Sequence, residues 1–220
     1  MQRRHNAEIM DDFSIQDERI DDALRELKVI NIVLGGRATT RKGFRILQKR
    51  KSLINRLTVL DVGAGGADVF ENGNGQCAIT ALDKNPRTCS YLQKNSSHTV
   101  ICGDAMDIPF KEQSFDVIHV SLFLHHFTEE QIVQLMQSFS RVARLGIIIN
   151  DLRRSTFALI GIKIITLLFS RSGMVQHDAP LSVQRGFTKD ELLQILNQCS
   201  FEHFTIKRTW AFRWLVIIEL

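Results

Sequence analysis

Apolar residues recur at helical spacing near the start of the chain. The recurring residues are Ile20, Leu24, Leu27, Ile30 and Leu34. Because they are three or four positions apart and the run stops at Gly35-Gly36, the pattern predicts an amphipathic helix that ends at the glycines. A second helix is predicted over residues 39–54. We interpret residues 1–55 as an N-terminal helical cap on the rest of the molecule.

From residue 57 onward, short apolar runs alternate with helix-like segments. The first five runs are residues 57–62, 78–82, 99–102, 115–121 and 146–150. Strands separated by helices predict parallel βαβ crossovers with helices on both faces of a sheet. Two further runs, 201–209 and 212–218, are close in sequence and rich in aromatic and β-branched residues, which predicts an antiparallel hairpin. The expected fold is a single α/β domain, with residues 56–220 forming a doubly wound, mostly parallel seven-stranded sheet.

The run 57–62 leads into a glycine-rich turn, Gly63-Ala64-Gly65-Gly66. Glycines permit positive φ and a close approach of the backbone to a ligand, so the turn predicts a nucleotide-type site. A dinucleotide fingerprint requires Gly or Ala where Asp68 stands, and an acid there would repel a pyrophosphate. Asp61, just before the turn, instead suits a cofactor with a cationic amino group. That chemistry favours S-adenosylmethionine (SAM).

Two more acids follow the next two predicted strands. Asp83 comes after the run 78–82, and Asp104 comes after the run 99–102. A carboxylate at the second strand end is placed to accept hydrogen bonds from both ribose hydroxyls, and one at the third strand end can accept a hydrogen bond from an adenine amino group. Open α/β sheets bind ligands at this edge, so three acids at successive strand ends predict one cofactor site. The alternative for Asp83 is an exposed residue that caps the next helix.

These segments, in this order, resemble the motifs of class I SAM-dependent methyltransferases. The motifs are Leu60-Asp61-Val62-Gly63-Ala64-Gly65-Gly66, Leu82-Asp83, Gly103-Asp104-Ala105, Ile108-Pro109-Phe110 and Ser114-Phe115-Asp116-Val117-Ile118. The resemblance covers residues 57–150 of the chain. Ala67 stands where the family commonly has its last glycine, a mild departure that leaves SAM binding expected.

The resemblance implies a role for each cofactor candidate. Asp61, Gly63 and Gly65 would line the methionine end of SAM. Asp83 would bind the ribose, and Asp104 with Ala105 would contact the adenine. The remaining candidates for cofactor contact are Ala64, Lys84, Gly103 and Ser121.

A histidine pair follows the fourth predicted strand in Leu124-His125-His126-Phe127, as in the broad subgroup that includes the quinone-biosynthesis methyltransferases. A histidine with a pKa of about 6.5 can remove a phenol or enol proton as the acceptor attacks the methyl group. His125 and His126 are therefore catalytic candidates, with a structural pair as the alternative. Asp151, at the end of the fifth strand, is a competing base, or else pairs with one of the arginines that follow it.

A weaker resemblance concerns the identity of the methyl acceptor. Segments 34–37, 150–155 and 177–188 resemble a bacterial methyltransferase subfamily of polyketide- or quinone-type pathways, which implies a small, hydrophobic aromatic, quinol or polyketide-type acceptor. The apolar stretch 157–169, within a proposed lid segment 152–187, either lines the acceptor pocket or packs on the sheet or a second subunit. Four arginines are candidates for an acidic acceptor, with surface solvation as the default: Arg153, Arg154, Arg171 and Arg185.

Composition and charge restrict the partners, metals and cellular compartment to be expected. The 28 basic and 24 acidic residues give a net charge of +4, which is typical of a solvated surface and predicts no nucleic-acid partner. The four cysteines form no CxxC pair and no clustered His/Asp spacing is present, so we expect a reducing compartment and no metal.

The chain has no secretory signal pattern, and its longest apolar stretch is too short to span a bilayer. We therefore expect a cytoplasmic monomer or homodimer, with peripheral membrane contact left open. The alternatives for function are an NAD(P)-dependent oxidoreductase and a non-catalytic SAM-binding protein. The chain lacks the Tyr-x-x-x-Lys pair expected of the oxidoreductase.

Overall fold

The seven predicted strands lie in one sheet in the computed structural model, which describes residues 1–52, 56–66, 70 and 77–220. The strands are β1 (Leu57–Val62), β2 (Cys77–Asp83), β3 (Thr99–Cys102), β4 (Phe115–Ser121), β5 (Ala143–Leu152), β6 (Phe204–Thr209) and β7 (Arg213–Glu219). Their order across the sheet is β3-β2-β1-β4-β5-β7-β6. The first five strands pair in parallel, and β7 is antiparallel to both β5 and β6. The predicted α/β fold with a C-terminal antiparallel hairpin is confirmed.

Seven helices flank the sheet in the described part of the chain. They are α1 (Glu18–Val33), α2 (Gly36–Lys51), α3 (Pro86–Asn95), α4 (Glu129–Val142), α5 (Thr156–Phe169), α6 (Gly173–Arg185) and α7 (Lys189–Gln198). Short polar side chains begin several of them: Thr128 and Thr188 each form a reciprocal capping box with the third helical residue. Gly35 separates α1 from α2 in the left-handed region, at φ +76°. The last residues of the predicted 39–54 helix lie outside the described residues.

Alternation along the strands divides the core between the two faces of the sheet. In β1, Leu60 and Val62 belong to one buried cluster while Val59 belongs to another. The first face is covered by α4 and α7, and the second by α2, whose Phe44 and Leu47 pack on the strands. The N-terminal segment therefore contributes to the core of the sheet domain, and its role as a cap stays a prediction.

The helix α5 packs on helices rather than on the sheet. Its Ala158 and Ile162 join a cluster with Ile20 of α1 and Val175 of α6. Its other face leaves large apolar side chains exposed, including Phe157, Leu167 and Phe169. Within the described residues, no helix is long and apolar enough to cross a membrane.

The close packing of α2 on the sheet is testable with two glycines that lie inside helices. A Cβ at Gly43 would lie 2.7 Å from Ile148 Cγ2 and 3.0 Å from Leu215 Cδ1, whereas a Cβ at Gly161 would meet no described atom within 4 Å. Overpacking costs about 1–3 kcal/mol and alanine regains about 1 kcal/mol of helix propensity. We expect Gly43→Ala to lower the free energy of unfolding by about 1–2 kcal/mol, and Gly161→Ala to raise it by about 0.5–1 kcal/mol. Urea denaturation measures both, and equal effects would contradict the packing of α2.

Candidate functional site

The carboxyl ends of the parallel strands surround a cavity of about 560 Å³. This edge includes the gap between β1 and β4, where the order of the strands reverses and where open α/β sheets bind ligands. All ten predicted cofactor residues line the cavity: Asp61, Gly63, Ala64, Gly65, Asp83, Lys84, Gly103, Asp104, Ala105 and Ser121. The structure thus brings the sequence candidates together in one place.

The turn after β1 requires glycine for two reasons. Gly63 has φ +63°, and a Cβ there would lie 2.1 Å from the Phe123 ring. Gly65 has φ +52°. The N–H groups of Gly63 and Ala64 both donate to the carbonyl of Leu82, which fixes the turn to β2. Ala67 and Asp68, on which part of the sequence interpretation rests, lie outside the described residues.

Asp83 is fixed by backbone donors at the end of β2. Its Oδ2 accepts a hydrogen bond from Gly65 N at 2.9 Å, and its Oδ1 accepts one from Asn85 N at 3.0 Å. Burial raises the pKa of Asp83 and the nearby Asp61 adds to the rise, although the backbone donors act in the opposite direction. A carboxylate has about four acceptor sites, so both oxygens retain capacity for the ribose hydroxyls of a nucleoside.

Asp104 and Lys84 form an ion pair at the rim. Asp104 Oδ2 lies 2.7 Å from Lys84 Nζ, and Asp104 Oδ1 accepts a hydrogen bond from Met106 N at 2.9 Å. Partial burial would raise the pKa of Asp104, but these two donors outweigh it and lower the pKa. Lys84 Nζ also lies 5.3 Å from the centroid of the Phe13 ring, which places an aromatic side chain of the N-terminal segment at the same end of the cavity.

Ser121 ends β4 with a polar atom that has no partner. Its Oγ is buried, and it makes no hydrogen bond to any residue that the structure describes. Unpaired buried hydroxyls are costly. Since Ser121 lines the cavity, its hydroxyl is available to a bound molecule, as expected of a cofactor contact.

Asp61 is held from behind by a histidine that the sequence analysis missed. His119 lies opposite Asp61 in the β1–β4 register, and its Nδ1 is 2.6 Å from Asp61 Oδ1. His119 Nε2 is 3.0 Å from Thr40 Oγ1 of α2, which in turn accepts a hydrogen bond from Asn150 Nδ2 at 3.2 Å. All four side chains are buried. A lone histidine inside the apolar run Val117–Val120 was the available sequence signal, because buried polar groups require partners.

The catalytic candidates His125 and Asp151 are in direct contact. Asp151 Oδ1 is 2.7 Å from His125 Nδ1, and Leu124 N donates to Asp151 Oδ2 at 3.0 Å. The expectation that Asp151 pairs with an arginine is wrong, because its side chain is fully buried beneath the histidine. Burial alone would lower the pKa of His125, but the carboxylates of Asp151 and Glu8 outweigh it and raise the pKa to about 9.

His126 is oriented in the same way by a second carboxylate. Its Nδ1 is 2.6 Å from Asp11 Oδ1, and Asp11 Oδ2 accepts a hydrogen bond from Arg185 Nη1 at 2.9 Å. Glu8 faces both histidines: its carboxylate oxygens are 3.6 Å from His125 Nε2 and 3.9 Å from His126 Nε2. Burial would raise the pKa of Glu8, yet the histidines and the Ser182 hydroxyl outweigh it, so the pKa is lowered.

The N-terminal segment is tied down so that these acids face the cavity. Asp178 of α6 accepts hydrogen bonds from the backbone N–H groups of Ile9 and Met10 at 2.8 and 3.0 Å. Arg185 Nη1 donates to the carbonyl of Asn6 at 2.9 Å. The sequence analysis missed Glu8 and Asp11, since nothing in the local pattern of residues 1–17 links them to positions beyond 120.

Surface solvation, the default expectation for the four arginines, is wrong for two of them. Arg185 is 4% exposed and donates to the backbone carbonyls of the histidine pair. Arg154 pairs with Glu191 and is nearly as buried. Arg153 stacks on the Phe212 ring, and Arg171 is exposed. Only Arg185 of these lines the cavity.

The stretch 157–169 does not line this cavity in the described structure. The proposed lid segment contributes Leu152, Ser182 and Arg185 to the lining, and α5 contributes none of its residues. α5 instead packs on α1 and α6, so the acceptor-lining interpretation of 157–169 is not supported. The wider lid role of 152–187 stays a prediction.

The hydrogen-bond chain behind Asp61 can be tested by removing its central hydroxyl. Thr40→Val keeps the shape but leaves His119 Nε2 without its buried partner and Asn150 Nδ2 with only the carbonyl of Gly36. We therefore expect the free energy of unfolding to fall by about 1–3 kcal/mol. The control is Thr166→Val in α5, where the equally buried hydroxyl bonds only carbonyls of its own helix. That change should cost below about 1 kcal/mol. Denaturant unfolding measures both, and similar costs would argue against the chain.

Three comparisons with known proteins bear on this site. A methyltransferase domain family matches residues 59–146. A curated relative, an uncharacterized methyltransferase of Synechocystis sp., is 34% identical over 91 residues, which cover 40% of this chain and 42% of the relative. The chain thus spans less than half of the length of that relative.

Similar solved structures cover more of the chain. The plantazolicin methyltransferase BpumL, in complex with a triazolic desmethylPZN analog and SAH, has a TM-score of 0.69 at 15% identity, over 94% of this chain and 95% of that one. A SAM-dependent methyltransferase from Aquifex aeolicus has a TM-score of 0.57 at 16% identity, over 80% and 88% of the two chains. The magnesium protoporphyrin IX methyltransferase of Synechocystis, with bound SAH, has a TM-score of 0.57 at 16% identity, over 84% and 83%.

At these identities the solved structures establish the fold. The family match covers the glycine turn and the three strand-end acids, in the order that the sequence motifs predict. The quinone-biosynthesis subgroup stays a prediction. With the seven-stranded sheet and the cavity at its switch point, these findings show that residues 59–146 match a methyltransferase domain family and that the chain has the fold of the similar SAM-dependent methyltransferase structures.

Proposed function

We propose that this chain transfers the methyl group of SAM to an oxygen or carbon atom of a small, hydrophobic acceptor of the aromatic, quinol or polyketide type. One observation carries the proposal: a glycine turn and three acids at successive strand ends share a cavity with an unpartnered Ser121 hydroxyl. This donor and acceptor set matches an adenosyl cofactor with a cationic amino group. The bound SAH of two solved structures supports the assignment.

The cofactor occupies the half of the cavity next to the glycine turn. Asp61 and Ser121 contact its methionine end, Asp83 binds both ribose hydroxyls, and Asp104 lies beside the adenine. The Gly63–Phe123 contact matters here, because any side chain at position 63 would displace the Phe123 ring, which lines the cavity.

The acceptor occupies the other half, next to the histidine pair. The cavity lining includes apolar side chains such as Met10, Leu27 and Phe127, as is typical of small-molecule sites. Among the polar groups, His125 Nε2 and the Glu8 carboxylate face the same space. An acceptor hydroxyl placed there meets the Glu8 carboxylate and His125, whose imidazole in its neutral form removes the hydroxyl proton.

Methyl transfer depends mainly on the alignment of the acceptor atom with the methyl group of SAM. The acceptor atom attacks the methyl carbon in line, the S–CH₃ bond breaks as the new O–CH₃ or C–CH₃ bond forms, and S-adenosylhomocysteine leaves with the sulfur electron pair. Holding both reactants in one cavity supplies most of the rate enhancement. His125 and His126 are the proposed catalytic residues, and Asp151 is a positioning residue, because it acts only through His125.

Two similar structures, those of the plantazolicin methyltransferase and the magnesium protoporphyrin IX methyltransferase, support a small-molecule acceptor. A cytoplasmic location and a monomeric or homodimeric state stay predictions.

The cofactor assignment is tested at Asp83. Asp83→Ala and Asp83→Asn should each raise the Kd for SAM at least about 100-fold, because hydrogen bonds to a charged group contribute about 1.5–3 kcal/mol each. Isothermal titration with SAM, S-adenosylhomocysteine and NADPH measures this. The control is Asp107→Ala, an exposed acid nearby, which should bind SAM like the wild type. Unchanged affinity in both Asp83 variants would remove the ribose role, and binding of NADPH alone would favour the oxidoreductase alternative.

The catalytic assignment is tested with His125→Asn, whose amide can still donate to Asp151. We expect SAM affinity within about threefold of the wild type and methyl transfer slowed about 100-fold or more. Release of S-adenosylhomocysteine with a panel of phenols and quinols measures transfer. Wild-type turnover in His125→Asn would demote the histidine to structure. If none of the acceptors in the panel causes release of S-adenosylhomocysteine although SAM binds tightly, the non-catalytic alternative is favoured.

A further inference from the structure

Three possible metal ligands converge in the acceptor half of the cavity. The carboxylate of Glu8 and one ring nitrogen each of His125 and His126 lie within 4.8 Å of one another. The oxygens of Glu8 are 3.6 Å and 3.9 Å from the two Nε2 atoms. Ligands of a tetrahedral ion with bonds of 2.0–2.1 Å are about 3.4 Å apart. The two separations between Glu8 and the histidine nitrogens are therefore close to the spacing of ligands around one ion.

Both imidazoles have their other nitrogen held by a carboxylate. Asp151 accepts from His125 Nδ1 at 2.7 Å, and Asp11 accepts from His126 Nδ1 at 2.6 Å. With Nδ1 held in this way, Nε2 is the nitrogen of each ring that lies beside Glu8, and a metal ion that binds there displaces any proton on it. Carboxylate–histidine pairs of this kind orient the ligands and raise their basicity in metal sites.

One of the three possible ligand atoms is buried and lacks a hydrogen-bond partner. His125 is 3% exposed, and its Nε2 has no hydrogen-bond partner among the described residues. Three carboxylates, those of Glu8, Asp11 and Asp151, contact the histidine pair, and the Arg185 guanidinium is the one cation that contacts them in the described structure. The three carboxylates outnumber this cation, which favours a bound metal ion whose binding displaces the proton from the His125 imidazole.

We propose that Glu8, His125 and His126 bind one divalent transition-metal ion of the zinc type. Two imidazoles and one carboxylate favour such ions over Mg²⁺ or Ca²⁺, which prefer oxygen ligands alone. Three protein ligands leave at least one coordination position open, as in catalytic rather than structural sites. The sequence-based expectation of no metal missed this set, because Glu8 is distant in sequence from the histidine pair.

The proposed metal site also restricts the chemical class of the methyl acceptor, and this step rests on the proposed function. An ion at the open end of the histidine pair binds an acceptor that offers two adjacent oxygens, such as a catechol or an enolised β-dicarbonyl. On binding, the hydroxyl loses its proton to solvent and its oxygen is held as an oxyanion by the ion. The retained electron pair is the nucleophile for the methyl group.

Metal binding is tested without SAM or acceptor, so the result is independent of the methyltransferase activity. Chelator-treated wild-type protein is titrated with Zn²⁺ by calorimetry and with Co²⁺ by visible absorption, whose d–d bands report imidazole and carboxylate ligands. We expect one ion per chain, and at least about tenfold weaker binding in Glu8→Gln and in His126→Ala. The His126 side chain is partly exposed, so that variant should fold, which circular dichroism checks. His203→Ala, which removes an exposed histidine, is the matched control.

Asp151→Asn separates a ligand set from incidental histidines. It touches no ion, yet it should weaken Co²⁺ binding by about 10–100-fold, because it removes the carboxylate that orients His125. No uptake of Zn²⁺ or Co²⁺ by folded wild-type protein would overturn the proposal. Binding that is unchanged in Glu8→Gln and His126→Ala would also overturn it, since the free cysteines or other histidines would then be the ligands.

Discussion

The short contact between Asp61 and His119 links the fold to the site. Asp61 stands at the end of β1, and its carboxylate is 2.6 Å from a histidine on the neighbouring strand β4. Both side chains are buried, and an unpaired carboxylate at that depth would be strongly destabilising. The pair joins β1 and β4, the strands between which the strand order reverses. The hydrogen bond that satisfies the buried carboxylate of Asp61 therefore also holds it against the cavity.

The support behind this pair reaches the N-terminal helices. Thr40 of α2 bonds His119 Nε2, and Asn150 of β5 bonds Thr40. Gly43, one turn further along α2, allows that helix to lie against Ile148. The close approach of α2 and the orientation of Asp61 are therefore parts of one arrangement, and the N-terminal segment cannot be regarded only as a cap.

The two halves of the cavity are built by different means. The proposed cofactor half uses strand ends and backbone donors, such as Gly65 N, which donates to Asp83, so its geometry follows from the sheet. The acceptor half uses side chains from separate elements, with Glu8 and Asp11 brought in by Asp178 and Arg185.

The sequence by itself determined the sheet, the glycine turn and the acids Asp61, Asp83 and Asp104. These follow from period-two and helical patterns and from the rule that parallel strands end at one edge, which are local properties of the chain. The tertiary structure alone decided that Glu8, Asp11 and Arg185 surround the histidine pair, that Asp151 lies under His125, and that α5 is outside the cavity. His126 and Asp11 are 115 positions apart, and contacts at such separations depend on how complete elements pack, which no local pattern encodes.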